Sequence, residues 1–425
     1  MTELNIWMSG KKVGVLDGTD RRNLRIVYDD EWVDQPQSTP LSVSMPIAAR
    51  AHSGKAVAAY LWGLLPDNDR VVTRWAAGYQ CSANDVFGLL VGVGADVAGA
   101  AQYLAPDAPT EATDAGRIEP LSESDVAGLL RVIKADSAAW HPSARGRWSL
   151  AGAQAKIALA YDSKTSTWGI PSGVRPTTHI LKPTIAGLDH HDLNEHLCLS
   201  AASQLGLKVA QTRIQRFDGE PALIVTRYDR MSQGDEVLRI HQEDCCQALG
   251  VHPEHKYQAD GGPALEDVAA LLREVEIRNA QEDIAALLRA AAFNWLILGT
   301  DAHAKNYSLL LSGRQVRLAP LYDVASAVPY GDHPKRLKLA QKIGGEYRPT
   351  VIERRHWARV AKAVHADVGQ LQDDIIDMAV QLPDAMATAI GDTDLGNVER
   401  VAAAQLLDAI AEWTAACRSA MGTAS

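Results

Sequence analysis

The chain has 425 residues, 42 basic against 52 acidic side chains for a formal net charge of −10, and 47% hydrophobic and 22% charged residues. At roughly 100–200 residues per domain the length accommodates two to four domains, and this balance excludes a wholly disordered chain and a histone-like basic wrapper. The acidic total argues against strong non-specific binding to nucleic acid by the free protein, although a local basic patch is compatible with it.

Five cysteines, Cys81, Cys198, Cys245, Cys246 and Cys417, form no C-x-x-C pair. Neither a disulfide framework nor a cysteine zinc site is expected. The start, MTELNIWMSGKK, has no basic segment followed by an apolar run, so no signal peptide is expected. The most apolar stretches, 86–104 and 284–298, are interrupted by Asp96 and by Arg289 and Asn294. Both read as buried core rather than membrane spans. A cytoplasmic protein with no membrane partner is the expectation.

In chain order, residues 4–8, 12–16 and 24–28 alternate as short strands, with Ser9-Gly10 and Asp17-Gly18 as turns. Helical periods appear at 56–65 and 84–90. Residues 105–120, APDAPTEATDAGRIEP, almost lack large apolar side chains and read as a linker, followed by a helix over 122–133. Strands are expected at 156–161, 179–182, 212–217 and 222–227, and a helix at 193–205 that stops at Gly206. From 265 the chain reads as helical, at 265–275, 282–298, 353–364 and from about 369 and 397. The exception is a hairpin over 307–318 with Ser312-Gly313 at its tip. No internal repeat is visible.

Four segments carry chemistry. In RWSLAGAQAK (147–156) small residues lie between Ser149 and Lys156, so backbone N–H groups can approach phosphate oxygens; a plain turn into a strand is the alternative. In THILKP (178–183) Lys182 ends a β-like run and can reach nucleotide phosphates, or merely flank a strand. Glu195 on the following helix is placed to pair with Lys182 or to be solvated. In GTDAHAKNYSLL (299–310), Asp301 and Asn306 stand at D-x-x-x-x-N, the spacing of an acceptor-side Asp and a metal-binding Asn in kinase catalytic loops. In LAPLYDVAS (318–326), Asp323 follows the hairpin as the metal-binding Asp of a kinase D-F-G does, with Val324-Ala325 in place of Phe-Gly. Asn306 and Asp323 would offer oxygen ligands to Mg²⁺.

Other clusters are weaker. His190, His191 and His196, and His252 and His255, lack a partner at zinc spacing and read as surface or loop histidines. RIHQEDCCQ (239–247) is polar enough to line a pocket wall. Whether His241, Gln242 and Glu243 touch nucleotide or substrate is left open.

Together with LLPDNDR (64–70), NEHLCLSAASQLGL (194–207), RYDR (227–230) and RIHQEDCCQALG (239–250), these segments resemble the HipA family, the serine/threonine-kinase toxins of bacterial toxin–antitoxin modules. The resemblance spans about residues 1–350, and the helical tail is compatible with it. It implies an α+β, two-lobed protein-kinase-like fold (HipA/PI-kinase-like) with an added N-terminal β-rich domain: an accessory domain at 1–105, an N-lobe-like region at 106–255 and a mainly helical C-lobe at 256–425.

It also implies roles. Asp301 is similar to the catalytic base, and Asn306 and Asp323 to the Mg²⁺ ligands. Ala151, Gly152, Ala153, Gln154, Ala155 and Lys156 resemble the phosphate-covering loop, and Lys182 the ATP-phosphate lysine. Thr226, Arg227 and Tyr228 match the adenine hinge, where the family often has an acidic residue in the place of Thr226. His303 and Lys305 are counted with the ATP-binding residues. Ser149 stands where members autophosphorylate and so switch themselves off; a phosphate there adds about −1.5 to −2 charges where ATP phosphates must sit. The implied cofactors are ATP and Mg²⁺. The implied partners are a HipB-like helix-turn-helix antitoxin, operator DNA through the antitoxin complex, and an aminoacyl-tRNA synthetase, of the glutamyl type in studied relatives, as protein substrate. The alternatives are a small-molecule kinase on the same scaffold and a catalytically degenerate antitoxin-binding co-repressor.

Overall fold

The structure, a computed structural model, describes residues 1–110, 116–140, 147–234, 236–276, 278–331 and 334–422. It divides into two compact units. The first is Met1–Pro183, Gln215–Glu254 and Leu309–Gln315; the second is Thr184–Ile214, His255–Ser308 and Val316–Ser425.

The first unit begins with an antiparallel sheet of order β4-β3-β2-β1-β5, built from β1 (Glu3–Met8), β2 (Lys11–Asp17), β3 (Arg25–Tyr28), β4 (Ala51–Ser53) and β5 (Gln102–Leu104). Leu4, Ile6 and Met8 are buried on one face of β1, the period-two pattern that marked it in the sequence. Around it lie α1 (Asp30–Val33), α2 (Lys55–Gly63), α3 (Asp69–Gly78) and α4 (Val86–Val93). Helix α3 was not among the expected elements. Asp69, Arg70 and Arg74 obscure its apolar period, yet Val71, Val72, Trp75 and Ala76 are buried and Asn68 caps its first turn.

A second sheet follows, of order β10-β11-β9-β7-β8-β6: β6 (Ile118–Leu121), β7 (Ile157–Asp162), β8 (Thr167–Pro171), β9 (His179–Pro183), β10 (Thr212–Phe217) and β11 (Glu220–Thr226). Helix α5 (Glu123–Ala135) packs on β9 and β11. The expected linker 105–120 is therefore shorter than its composition indicated, because β6 takes its end and pairs with β8. Residues 111–115 of it lie outside the described residues. The pair β12 (Arg230–Gln233) and β13 (Glu236–Arg239) comes next. Then β14 (His241–Asp244) joins the hairpin β15 (Ser308–Ser312) and β16 (Gln315–Leu318). One buried cluster runs from Leu4 through Trp140, Trp148, Leu159 and Leu181 to Ile224. That shared core is why residues on both sides of the expected border at 105 belong to one compact unit.

Inside this unit is a buried charge cluster. Asp96, the carboxylate that interrupts the apolar run, receives Arg230 at 2.8 Å and Arg227 at 3.5 Å, and the Thr177 amide and hydroxyl at 2.9 and 2.7 Å. Arg239 lies 3.7 Å away. Asp229 accepts from Arg227, Arg230 and the Gly99 amide at 2.7–3.0 Å. Burial alone would raise the Asp96 pKa, but the three arginines and Thr177 hold it well below the usual carboxylate range.

In the second unit α6 (His191–Gln204) packs against α11 (Val368–Asp392) and α12 (Asn397–Ala420); the short α7 (Cys245–Ala248) belongs to the first unit. The remaining helices are α8 (Leu265–Val275), α9 (Ala280–Leu296) and α10 (Arg354–Ala363). In α8, Leu265, Val268, Ala269 and Leu272 bury one stripe, whereas the second half of α9, residues 290–296, is buried all round. All five cysteines are thiols. Among the described residues no helix is long and apolar enough to cross a membrane.

Removing one partner from a buried ion cluster leaves the others unpaired and costs about 3–5 kcal/mol. Asp96→Asn, measured by urea unfolding, is expected to lose stability in that range. A loss within ~0.5 kcal/mol, the surface-substitution range, would show that the cluster does not hold this unit together.

Candidate functional site

The residues singled out in the sequence fall into two sets, one in each unit. In the first unit the phosphate-loop segment starts at Ser149, which is fully buried. Its amide donates to Asp96 O at 2.9 Å and its hydroxyl to Leu64 O at 2.7 Å. The loop then lies on the turn 64–68: the Asp67 amide donates to Gly152 O at 3.0 Å, and Asn68 Nδ2 to Ala153 O at 3.3 Å. Lys156 turns back to Ala151 O at 2.6 Å, with its ammonium 4.9 Å from the centre of the Trp140 ring. Gly152 has φ +101°, a conformation open to glycine but rarely to other residues. A Cβ there would lie 2.7 Å from Lys156 Nζ. The Gln154 side-chain amide nitrogen is buried without an acceptor. A loop of small residues with a lysine and an unsatisfied donor fits an anionic ligand such as a nucleotide phosphate.

Lys182 lies on β9, buried, opposite Leu223 of β11. After β11, Arg227 is committed internally. Its guanidinium joins Asp96 and Asp229, its amide donates to Thr178 O at 3.0 Å, and its carbonyl accepts from Arg230 N at 3.2 Å. That corrects the expectation that Arg227 binds cofactor, because burial forces an arginine to find charged partners within the protein. Tyr228 donates to Gln242 Oε1.

In the second unit, α9 ends with Leu298 in the left-handed region (φ +55°), and the Gly299 amide donates back to Asn294 O at 2.6 Å. Trp413 Nε1 and Thr414 Oγ1 take the Trp295 and Leu296 carbonyls at 2.8 and 3.1 Å, satisfying helix-end acceptors. The loop 301–306 follows from this anchored end. Asp301 is exposed. Its carbonyl accepts the His303 amide at 2.8 Å and Asn306 Nδ2 at 3.0 Å. With its amide nitrogen so used, Asn306 retains its side-chain oxygen for a cation. Lys305 and His303 are buried, and the Lys305 carbonyl accepts from Tyr322 Oη at 2.5 Å.

Asp323 has φ +57°, which Asp tolerates better than most side chains. Anchors on either side hold it there. Leu321 exchanges backbone bonds with Lys208 and Ala210 at 2.9 and 2.7 Å. Ser326 is gripped through both backbone groups by the Asn194 amide, at 2.8 and 3.0 Å. The Asn306 amide oxygen and the Asp323 carboxylate are hard oxygen donors of the kind Mg²⁺ takes.

The two domain families that match the chain are the HipA N-terminal domain over residues 4–104 and the HipA-like C-terminal domain over 148–390. The second alone covers more than half of the chain. The chain belongs to the HipA family. It is 37% identical over 398 residues to the Sinorhizobium fredii protein "Putative kinase Y4mE", covering 92% of each chain. It is 28% identical over 378 residues to "Serine/threonine-protein kinase toxin HipA" of Shewanella oneidensis, covering 85% of this chain and 83% of the relative. The fold matches a chain of the Shewanella oneidensis HipA, HipB and operator DNA complex with TM-score 0.85 and 24% identity, over 98% and 97% of the two chains. The α+β architecture is thus that of a kinase-like family.

The structure decides three readings. His241 and Glu243 bind the chain's own backbone rather than facing a ligand. His241 Nε2 donates to Leu41 O at 3.0 Å and Nδ1 accepts the Ala100 amide at 3.3 Å; burial lowers its pKa to about 4. Glu243 accepts the Val43 amide at 2.8 Å. His196 is not a surface residue but is buried between the Thr212 and Thr393 hydroxyls at 2.8 and 3.1 Å. Glu195 is likewise buried rather than solvated. The supporting residues Asp96, Asn68 and Asn194 had no assigned role. Their signals were a carboxylate inside an apolar run and asparagines beside a helix start.

Two outcomes are expected for this HipA-family chain. Asn68→Asp keeps the α3 cap but loses the donor to Ala153, and one such bond contributes about 1 kcal/mol. Amide hydrogen exchange over 150–155 should accelerate about fivefold, with global stability little changed; unchanged exchange would rule out the latch. Burial pushes the Glu243 pKa up to about 8 from 4.5. A raised carboxyl stabilises the fold below the unfolded value and loses that contribution as pH rises through 8. Glu243→Gln, neutral throughout, should gain on wild type by up to about 1.4 kcal/mol per pH unit between pH 5 and 8. Parallel melting curves at both pH values would refute the assignment.

Proposed function

We propose that this chain is a Mg²⁺- and ATP-dependent serine/threonine protein kinase acting as the toxin of a HipBA-type pair. What carries the reading is the loop 301–306, where an exposed Asp301 carboxylate and a buried Asn306 share one hydrogen-bonded turn, in a chain whose Shewanella oneidensis relative is named a serine/threonine-protein kinase toxin. Mg²⁺-ATP supplies the phosphoryl group and the cation that offsets its charge. The chain's own residues bind and orient. Ala151–Lys156 (151–156) and Lys182 receive the phosphates, with His303 and Lys305 beside Asp301. Thr226 and Tyr228 offer the adenine contacts that Arg227 cannot. Asn306 and Asp323 hold the metal. Asp301 orients the acceptor hydroxyl and takes its proton.

Ser149 is the proposed self-modified residue. Since its hydroxyl is bonded to Leu64 O and fully buried, phosphorylation requires the loop to leave the 64–68 turn, and a phosphate would then oppose return by charge and size. A HipB-like antitoxin and operator DNA are proposed partners, by analogy with the Shewanella complex, and the net charge of −10 assigns most phosphate contacts to the antitoxin. A glutamyl-type aminoacyl-tRNA synthetase is the proposed substrate, and inhibition of translation the outcome.

The test is incubation of purified protein with Mg²⁺ and ATP, followed by mass spectrometry. Wild type should carry phosphate on Ser149, and Asp301→Asn should lose labelling by about 10²-fold or more, the range of general-base contributions. Undiminished labelling in Asp301→Asn would overturn the assignment.

A further inference from the structure

Residues 255–263 have no role in the reaction as proposed, yet they are folded onto the loop that carries Asp301. Tyr257 donates its phenolic proton to Asp301 Oδ1 at 2.7 Å. Its ring meets the His303 ring edge-on, with centres 5.1 Å apart and planes at 80°. One residue earlier, the Lys256 carbonyl accepts the Ala304 amide at 3.3 Å. Three contacts thus bracket residues 301–304 from a single short segment.

The segment is itself tightly closed. Gly262 N donates to Tyr257 O at 2.9 Å. A Cβ on Gly262 would lie 2.1 Å from His255 O and 2.7 Å from Tyr257 O, so the turn cannot close around any larger residue. This closure fixes where the Tyr257 backbone stands, and hence where its hydroxyl points.

A carboxylate acting as base has two oxygens and a soft terminal torsion. A neutral donor on one oxygen sets the direction of the other without cancelling the charge that must attract the proton. An ammonium or guanidinium in the same place would compete for that charge. We propose that Tyr257 is a positioning residue for phosphoryl transfer: its phenol holds Asp301 Oδ1 so that Oδ2 is presented to the acceptor hydroxyl. In this role Tyr257 acts only through Asp301. The inference rests on the reading above, in which Asp301 is the base.

The test is Tyr257→Phe in the full-length protein, which keeps the ring and its His303 contact and removes only the hydroxyl. Misorientation of a catalytic group costs up to about 10²-fold. The expected result is a kcat for phosphate transfer lowered roughly 10–100-fold, with KM for ATP and the melting temperature unchanged. In the double variant with Asp301→Asn, the tyrosine change should add nothing, because it acts only through that carboxylate. An active wild type with Tyr257→Phe equally active, or a loss that persists in the Asp301→Asn background, overturns the inference alone. A wild type that transfers no phosphate from Mg²⁺-ATP overturns the kinase reading and this inference together.

Discussion

The first unit depends on a charge it cannot expose. Asp96 and Asp229 face Arg227, Arg230 and Arg239 in a region where every one of these side chains is at least nine-tenths buried. Desolvating five ions costs several kcal/mol each, and their mutual attraction offsets that only if all arrive together. The cluster is therefore better understood as a registration device than as a net source of stability. It brings residues 96–99 against 227–230 and 239, stretches far apart in sequence. The phosphate-loop segment begins on the Asp96 carbonyl through Ser149, and the approach to β9, which carries Lys182, begins on the Asp96 carboxylate through Thr177. One residue thus sets the starting points of the two elements proposed to face the nucleotide, and of the turn after β11.

The second unit positions its residues by different means. In their proposed roles Asp301 and Asn306 keep oxygen atoms available to the acceptor and the cation. Neutral groups take part in placing them: the phenol of Tyr257 on Asp301, the phenol of Tyr322 on the Lys305 carbonyl, the amide of Asn194 on Ser326, and backbone bonds of Leu321 with Lys208 and Ala210. Tyr322 links two points of the same strand–loop region, since its hydroxyl donates to Lys305 O and Ser308 Oγ donates to it at 2.6 Å. The helix end before the loop is secured by tryptophans, with Trp413 on the Trp295 carbonyl and Trp295 Nε1 on Pro349 O at 3.0 Å. In the first unit Trp75, Trp140 and Trp148 form a contiguous ring cluster beneath Lys156. At the helix end the excess of tryptophan over phenylalanine, ten against three, has a local use, because an indole packs like an apolar residue and still donates a hydrogen bond.

Strong periodicity made most elements legible: β1 to β3, α8, α9 and the hairpin at 308–318 stand close to where alternation or the 3.6-residue period placed them. Helix α3 was hidden because half of its turns carry charge, and β6 because Pro and Asp around it imitate a linker. Chemistry was legible where spacing is short, as in Asp301 to Asn306. It was not legible where a polar residue serves packing. Glu243 and His241 look like pocket residues in one dimension, and only the arrival of Leu41 and Val43, some 200 positions away, turns them into buried acceptors and donors. Arg227 fails for the same reason, since its partners at 96 and 177 are remote in sequence.

The segment after Asp323 shows how a missing residue is compensated. In kinases of the D-F-G type an aromatic after the aspartate packs to set the segment; here Val324 and Ala325 follow. Val324 is buried but offers far less area than a phenylalanine, at about 25 cal/mol per Å². The Asn194 side chain makes up the difference in kind rather than in amount: it binds both the amide and the carbonyl of Ser326, replacing an area-dependent contact by a directional one. A packed aromatic can slide between pockets, whereas a two-point amide bond is either made or broken. The aspartate is held at positive φ between that bond and the Leu321 pairing, so a constraint on backbone rather than on an aromatic rotamer fixes where its side chain leaves the chain.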